Sequence, residues 1–256
     1  MRHLILIRHG QASYGKANYD CLSAIGRQQA KVLGENLIHR DLPNGSIYHG
    51  SLERQRDTAQ IIVNQQTLKS TAASIHLNEQ PWLNELNSHQ LMQYYGDKVQ
   101  HPHQSTVSHS ERTDQWPMKK ADFASTFKQL IELWHQDPTP PFESFVQFQQ
   151  RIDLGLSELV STSPKHQPII LVSSAGVIAS ILQRVLQLEL MQMLNLALTL
   201  NNASITEIQL STSLDLHDLH SIYSGQKNTK HIGNLLGFNN IWPLQLQQDP
   251  KLITRL

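Results

Sequence analysis

The chain has 256 residues, and its 21 Lys and Arg residues balance its 21 Asp and Glu residues, so the formal net charge is zero. A neutral chain lacks the basic excess that non-specific nucleic-acid binding requires, so no nucleic-acid partner is expected. The length is sufficient for one large domain with a sizeable core.

The cysteine, histidine and apolar content restricts location and cofactors. A single cysteine, Cys21, excludes an intrachain disulfide and a multi-cysteine metal cluster. The N-terminus carries only a four-residue apolar run, Leu4 to Ile7, which is too short for a signal peptide or a membrane span. The fourteen histidines lack the usual spacing of metal ligands. We therefore expect a cytoplasmic protein with no membrane partner, no metal and no other cofactor.

Short strand patterns alternate with helical patterns along the chain. In chain order, the predicted elements are a strand at 3–7, a helix at 23–38, a strand at 46–49, a helix capped by Ser51, helices at 123–135 and 145–160, a strand at 169–173, helices at 176–186 and 191–200, and strands at 204–210 and 216–222. Such alternation favours an α/β fold, with a mostly parallel central sheet between two helical layers as a three-layer α/β/α sandwich.

One polar segment interrupts this alternation. Residues 97–120 are rich in His and Ser and have little apolar periodicity. This composition is typical either of a flexible flap inserted between core elements or of a disordered surface loop. The chain is therefore predicted to be a single domain over 1–256 that carries an insertion at about 97–120.

The end of the first predicted strand carries reactive residues. In parallel sheets, ligands gather outside the carboxyl ends of the strands, where Arg8, His9 and Gly10 are expected. A guanidinium such as that of Arg8 binds phosphate through two aligned N–H groups, and Gly10 permits a tight turn and a close approach by a ligand. The imidazole of His9 is a possible covalent nucleophile. The alternative is a buried, hydrogen-bonded histidine without a catalytic role.

Two further residues have a chemical and an ordinary interpretation. Arg54 lies in the first turn of a predicted helix, where the helix N-terminus favours anions; the alternative is a solvated surface arginine. Glu85 lies in a loop between apolar neighbours. A partly buried carboxyl group has a raised pKa and can hold a proton near neutral pH, which suits a general acid. The alternative is an ordinary loop glutamate.

Together these segments resemble one known family. The stretch Leu6-Ile7-Arg8-His9-Gly10-Gln11 resembles the signature of the histidine phosphatase superfamily, the phosphoglycerate mutase-like proteins. Five other segments follow in the order and spacing of that family: 19–30, 51–59, 83–85, 172–178 and 201–206. The resemblance covers nearly the whole chain, apart from 97–120 and the last dozen residues.

The resemblance implies a phosphoglycerate mutase-like fold and a set of roles. His9 would be the nucleophile that forms a phosphohistidine, and Arg8 and Arg54 would clamp the phosphoryl oxygens. Glu85 would protonate the leaving oxygen and then activate water. Positioning and charge neutralisation are what phosphoryl transfer mainly needs, so guanidinium groups could serve without a metal.

The late turn departs from the usual family pattern. Ser174 stands where most members carry a second histidine, and the chain thereby resembles a subgroup with Thr-Ser-Gly-Gly at this turn. Ser174 can donate one hydrogen bond to phosphate but carries no charge. Ser13 can also donate a hydrogen bond to phosphate, and Gly10 completes the predicted phosphate-binding set. His231 could fold back to replace the missing group, or it could be a solvated tail histidine.

Three functions follow from these residues. The first is a metal-independent phosphatase that hydrolyses a phosphomonoester through phospho-His9. The alternatives are phosphoglycerate mutase-type phosphoryl transfer and a catalytically weak phosphate-ligand binding protein. The partner would be a small phosphorylated substrate or a phosphoprotein, and the sequence leaves the substrate and the oligomeric state open.

Overall fold

A computed structural model describes residues 1–13, 19–37, 45–69, 75–99, 120–164, 167–211 and 232–255. The strand predicted at 216–222, His231 and most of the 97–120 segment lie outside these residues. The chain divides into two compact units, one formed by Met1–Glu85 with Ile152–Leu256 and the other by Leu86–Arg151. The single domain predicted over 1–256 stays a prediction.

The first unit contains a six-stranded sheet. Its strands are β1 (Arg2–Arg8), β2 (Ser46–His49), β3 (His76–Glu79), β4 (Ile169–Ser173), β5 (Ile205–Leu210) and β6 (Gly233–Asn240). They lie side by side in the order β3-β2-β4-β1-β5-β6. The first four in this order are parallel, whereas β5 is antiparallel to both of its neighbours. The predicted α/β fold with a mostly parallel sheet is therefore confirmed.

Helices occupy most of the remaining described chain. Their bounds are α1 (Ala24–Leu37), α2 (Glu53–Lys69), α3 (Ser88–Tyr95), α4 (Lys120–Gln136), α5 (Phe145–Thr162), α6 (Ala175–Leu186), α7 (Leu190–Thr199) and α8 (Trp242–Gln245). Short 3₁₀ turns lie at Pro81–Leu83, Gly96–Lys98 and Pro250–Leu252. Every helix predicted from the sequence is present, while α3 and α8 were not predicted.

The central strands of the sheet are buried because helices cover them. On one face, Ile5, Ile7 and Val172 form a core with residues of α1 and α2. Helix α6 contacts β1, and Leu4 and Leu6, which alternate with the first set, are also buried. A strand buried on both faces has a nearly continuous apolar sequence, which is why β1 could be recognised from its sequence.

The second unit has its own contacts. Helices α3 and α4 contact each other, and the Tyr95 hydroxyl donates to Asp137 at 3.0 Å. The rings of Trp134 and Phe145 meet edge to face at 5.2 Å. These contacts give the described part of residues 86–151 a small core of its own.

Register brings two strand ends together. Arg8, the last residue of β1, is paired with Ser173, the last residue of β4. Because the two strands are parallel, the residues that follow them, His9 and Ser174, emerge at the same edge of the sheet. In the described part of the chain no helix has the length and apolarity needed to cross a membrane. A cytoplasmic location stays a prediction.

Candidate functional site

His9 lies at the centre of the carboxyl edge of the sheet. Its backbone N–H donates to Ser173 O at 2.9 Å, and its own carbonyl accepts from the Ala203 N–H at 3.2 Å. The imidazole Nδ1 is 2.7 Å from Gly10 O. A carbonyl oxygen only accepts, so Nδ1 carries the proton and the lone pair is on Nε2.

The turn after His9 is held between α1 and α2. A Cβ atom on Gly10 would lie 2.4 Å from Gly26 O, so only glycine allows this approach to the start of α1. The Gly10 N–H donates to Thr58 Oγ1 at 3.0 Å, and the Thr58 hydroxyl donates to Arg54 O at 2.7 Å. Thr58 therefore ties the histidine turn to the helix that carries Arg54.

Arg54 reaches His9 from the first turn of α2. Its Nε donates to His9 Nε2 at 3.2 Å, and its Nη1 donates to Asp20 Oδ1 at 2.6 Å. The other Asp20 oxygen, Oδ2, accepts from the Glu53 N–H at 2.7 Å, so this carboxylate also caps α2. The Tyr19 ring lies 5.6 Å from the Arg54 Cζ. Arg54 is thus buried and held in place, and it is not a solvated surface residue.

Arg8 is buried beside His9 with donor capacity to spare. One Nη1 N–H donates to Leu200 O, whereas Nε has no hydrogen-bond partner among the described residues. Burial lowers the pKa of Arg8 to about 10, while the nearby Glu85 carboxylate favours its charged form. Arg8 therefore keeps its charge at neutral pH. A buried cation with an unpartnered N–H is expected to bind an anion.

Glu85 reaches the site from the loop after the Pro81–Leu83 turn. Its Oε2 accepts from the Gly176 N–H at 2.9 Å, at the start of α6. A Cβ atom at Gly176 would lie 2.2 Å from Glu85 Oε1, so glycine is required for this contact. The loop itself is held at Leu83 O, which accepts from Ser173 Oγ at 2.6 Å and from Gln55 Nε2 at 3.0 Å.

The structure places the remaining predicted site residues as follows. Ser174 is buried directly after β4, and its Oγ accepts from Gln55 Nε2 at 2.8 Å. Ser13 is buried and its backbone N–H donates to Cys21 O at 2.8 Å, although no hydrogen bond joins its hydroxyl to His9 in the described structure. His231, the candidate replacement for the second histidine, lies outside the described residues.

Two contacts at the site were not found by the sequence analysis. Asp20 lies within the segment 19–30 that resembles the family, but a lone aspartate gives no signal that it pairs with Arg54. Gln55 follows Arg54, and a glutamine in a first helical turn is usually interpreted as solvated. Only the packing of α2 against the strand ends shows that Gln55 is fully buried.

Electrostatics determine the protonation of His9. Burial, followed by the positive charges of Arg54 and Arg8, lowers the pKa of His9 well below its ordinary value, although the Gly10 carbonyl opposes this shift. The imidazole is therefore neutral at neutral pH, and its Nε2 lone pair lies among two guanidinium groups. Such an arrangement can attack an electrophile and hold the oxygens of an anion around it.

Within the described ranges, no three His, Cys, Asp or Glu side chains lie close enough together to hold a metal ion. The positive charges that surround His9 are those of Arg8 and Arg54.

Comparison with known proteins identifies a family. The sequence model of the histidine phosphatase superfamily (branch 1) matches residues 4–214. No curated relative matches the chain. The matched range includes the histidine turn, the first turn of α2, the glutamate loop and the turn after β4.

Several solved structures share the fold. The native mycobacterial glucosyl-3-phosphoglycerate phosphatase is 22% identical, with a TM-score of 0.57, and the match covers 93% of this chain and 99% of that one. The same mycobacterial enzyme with inorganic phosphate is 22% identical, with a TM-score of 0.55 and coverage of 94% and 98%. A phosphoserine phosphatase mutant from Entamoeba histolytica, in complex with phosphoserine, is 18% identical, with a TM-score of 0.55 and coverage of 95% and 100%.

Proposed function

The chain belongs to the histidine phosphatase superfamily (branch 1), and we propose that it is a metal-independent phosphatase that hydrolyses a phosphomonoester through a phosphohistidine at His9. The observation that carries the proposal is a neutral, buried imidazole whose Nε2 lone pair faces a guanidinium, beside the unpartnered Nε of Arg8. An anionic group in this position would neutralise both arginines and lie next to the nucleophile.

The first half-reaction forms the phosphohistidine. His9 Nε2 attacks phosphorus, and the P–O bond to the leaving group breaks as the P–N bond forms. Arg8 and Arg54 donate to the phosphoryl oxygens and balance their charge. The leaving oxygen takes a proton from Glu85. The imidazole becomes positively charged, and its Nδ1–H bond to Gly10 O stabilises that charge.

The second half-reaction returns the enzyme to its starting state. Water attacks phosphorus and gives a proton to the Glu85 carboxylate. The P–N bond breaks, and phosphate leaves with its charge balanced by the two arginines. Glu85 thus ends protonated and His9 neutral, ready for another substrate. The contact between Glu85 and the Gly176 N–H at 2.9 Å holds the carboxylate in one place through both steps.

A small phosphorylated metabolite is the substrate class we propose. The mycobacterial enzyme is named for a phosphoglycerate derivative and the Entamoeba structure holds phosphoserine, which supports a small phosphomonoester over a phosphoprotein. The second candidate function is phosphate-ligand binding with weak turnover, which is favoured by the uncharged Ser174. Mutase-type transfer has no observation in its favour beyond the fold.

Hydrolysis of 4-nitrophenyl phosphate tests the proposal. Wild type, His9→Ala and His3→Ala would be assayed from pH 4.5 to 8 with a chelator present. His3 is the control because it lies on β1, the strand that precedes His9, but pairs with Glu207 on a partly exposed surface. Turnover that survives the chelator, is lost in His9→Ala and persists in His3→Ala is the expected result. An acid-labile phosphoryl adduct should accumulate in wild type and be absent from His9→Ala.

Phosphate binding in the absence of turnover would instead favour the binding function. Equal activity in wild type and His9→Ala would contradict a phosphohistidine mechanism. Conversion of 3-phosphoglycerate to 2-phosphoglycerate without release of phosphate would favour the mutase.

A further inference from the structure

Gln55 forms hydrogen bonds to two separate parts of the site. The residue is fully buried in the first turn of α2. One amide nitrogen, Nε2, donates to Leu83 O at 3.0 Å and to Ser174 Oγ at 2.8 Å. Leu83 O lies two residues before Glu85, and Ser174 begins the turn after β4. A single side chain therefore contacts the loop of the proposed acid and the residue that stands where most of the family has a second histidine.

The orientation of the Gln55 amide follows from its partners. Leu83 O is a carbonyl and can only accept, and it also accepts from Ser173 Oγ at 2.6 Å. Rotating the amide would place Oε1 against this carbonyl, where two acceptors would repel each other. The NH₂ group must therefore face Leu83 and Ser174, and these two contacts use both of its protons.

This orientation determines where the Ser174 proton points. A hydroxyl has one proton and two lone pairs, and a lone pair of Ser174 accepts from Gln55. Ser174 precedes α6, yet its side chain forms no capping hydrogen bond with that helix. No acceptor for the Ser174 proton is present within the described structure. The proton is therefore available to an acceptor at the strand ends, where His9 also lies.

Gln55 occupies its position at a cost to stability. Its Oε1 is buried without a hydrogen-bond partner among the described residues, and it lies against the backbone of Gly50, where a Cβ atom would come within 1.9 Å. A buried acceptor without a partner destabilises a fold. The two hydrogen bonds of Nε2 and the unpartnered Oε1 have opposite effects on stability, so a role in the site explains this buried amide better than stability does.

We infer that Gln55 is a positioning residue that aims the Ser174 hydroxyl at a phosphoryl oxygen and holds the Leu83 end of the Glu85 loop. This inference rests on the proposed function, which it deepens. It explains how a neutral serine replaces a histidine: the Gln55 N–H fixes the hydroxyl, so that its proton is presented to the anion with little loss of freedom on binding.

A double-mutant cycle on phosphate binding tests the inference. Binding of inorganic phosphate would be measured by titration calorimetry for wild type, Gln55→Met, Ser174→Ala and the double variant. Each single variant should weaken binding about tenfold, because a hydrogen bond to a charged group is lost. The double variant should be within about twofold of Ser174→Ala, because Gln55 acts through the hydroxyl. A double variant weakened about a hundredfold, the product of the single effects, would overturn the inference.

Gln66→Met is the matched control. Gln66 is a buried glutamine on the same helix, and its Nε2 donates to Gly34 O at 2.9 Å, away from the site. This variant should lose comparable thermal stability while phosphate binding stays at the wild-type level. If Gln66→Met weakened binding as much as Gln55→Met, the effect of Gln55 would be general destabilisation and the inference would fail.

Gln55→Glu has the same shape and reverses the hydrogen bond. Its carboxylate would accept the Ser174 proton, which would turn the hydroxyl away from the phosphate. The loss of binding relative to wild type should be larger at pH 8 than at pH 5, where the carboxyl can be protonated and donate. Equal losses at both pH values would contradict the proposed direction of this bond. The variant also keeps the test open if Gln55→Met does not fold.

Turnover separates the two proposals. His9-dependent hydrolysis together with additive binding effects would refute only the role of Gln55. A non-additive cycle in a protein that does not hydrolyse phosphomonoesters would refute only the phosphatase. A wild-type protein that fails to bind millimolar phosphate would overturn the Gln55 inference as well.

Discussion

Replacing Gly176 with alanine should separate catalysis from stability. The added Cβ would lie 2.2 Å from Glu85 Oε1 and 3.1 Å from Glu85 Cδ. The obstructing atoms are the end of a flexible side chain, which can move without shifting the backbone. Alanine is also preferred to glycine within a helix by about 1 kcal/mol. We therefore expect Gly176→Ala to retain or slightly raise the free energy of unfolding while it displaces the carboxylate.

The size of the displacement sets the expected loss of activity. Ordinary van der Waals contact with a Cβ begins at 3.4 Å, so Glu85 Oε1 must retreat by roughly 1 Å and lose its alignment with the Gly176 N–H. A misplacement of about 1 Å can cost roughly 10²-fold in rate, and a general acid contributes about 10²- to 10⁴-fold. We expect kcat/KM, which reports the first half-reaction, to fall about a hundredfold where the leaving group needs a proton.

Two substrates and one matched variant distinguish the loss of a general acid from a general loss of activity. Nitrophenolate leaves without a proton, so kcat/KM, which reports the first half-reaction, should fall far less for 4-nitrophenyl phosphate than for an alkyl phosphate such as glycerol phosphate. Glu85→Gln should show the same dependence on the leaving group. Gly237→Ala is the control, because a Cβ there meets no atom within 4 Å. A Gly176→Ala variant whose kcat/KM fell equally for both substrates, or for neither, would refute the placement of Glu85 as the acid.

Three other perturbations test the charges around His9. Asp20→Asn keeps a capping side chain for α2 but removes the negative partner of Arg54. The kcat/KM of this variant should fall about tenfold with little change in melting temperature. An unchanged kcat/KM would contradict the positioning of Arg54 by Asp20. Because the folded pKa of His9 is depressed, protons bind more readily to the unfolded chain, so stability falls as pH drops below the ordinary value of 6.5. His9→Gln should therefore lose less stability than wild type between pH 7 and pH 5 in urea unfolding, and equal losses would argue against a depressed pKa. Arg8→Gln should weaken binding of inorganic phosphate at least tenfold, and wild-type binding should decline near pH 10, where Arg8 begins to lose its charge. Calorimetry that found equal affinity in Arg8→Gln and wild type would show that Arg8 is not a phosphate ligand.

Local sequence patterns were sufficient to predict much of the fold and part of the candidate site. The strand β1 is a continuous apolar run because both of its faces are buried, and β4 has the same pattern. By contrast, β3 has the polar sequence His-Leu-Asn-Glu and lies at the edge of the sheet with exposed ends. Strand β6 contains two glycines and three asparagines. Pairing with a neighbouring strand stabilises such segments, and their own residues carry little sign of it.

The sequence by itself determined the α/β class, the family resemblance and the candidate site residues Arg8, His9 and Glu85, because each depends on residue type and local order. Tertiary structure decided the strand order that brings the ends of β1 and β4 together, and with it the partners of Arg54 and Ser174. Asp20 and Gln55 acquire their positions only through packing. A carboxylate or an amide has the same chemistry at any place in a sequence, and burial beside a particular partner is what makes it part of a site.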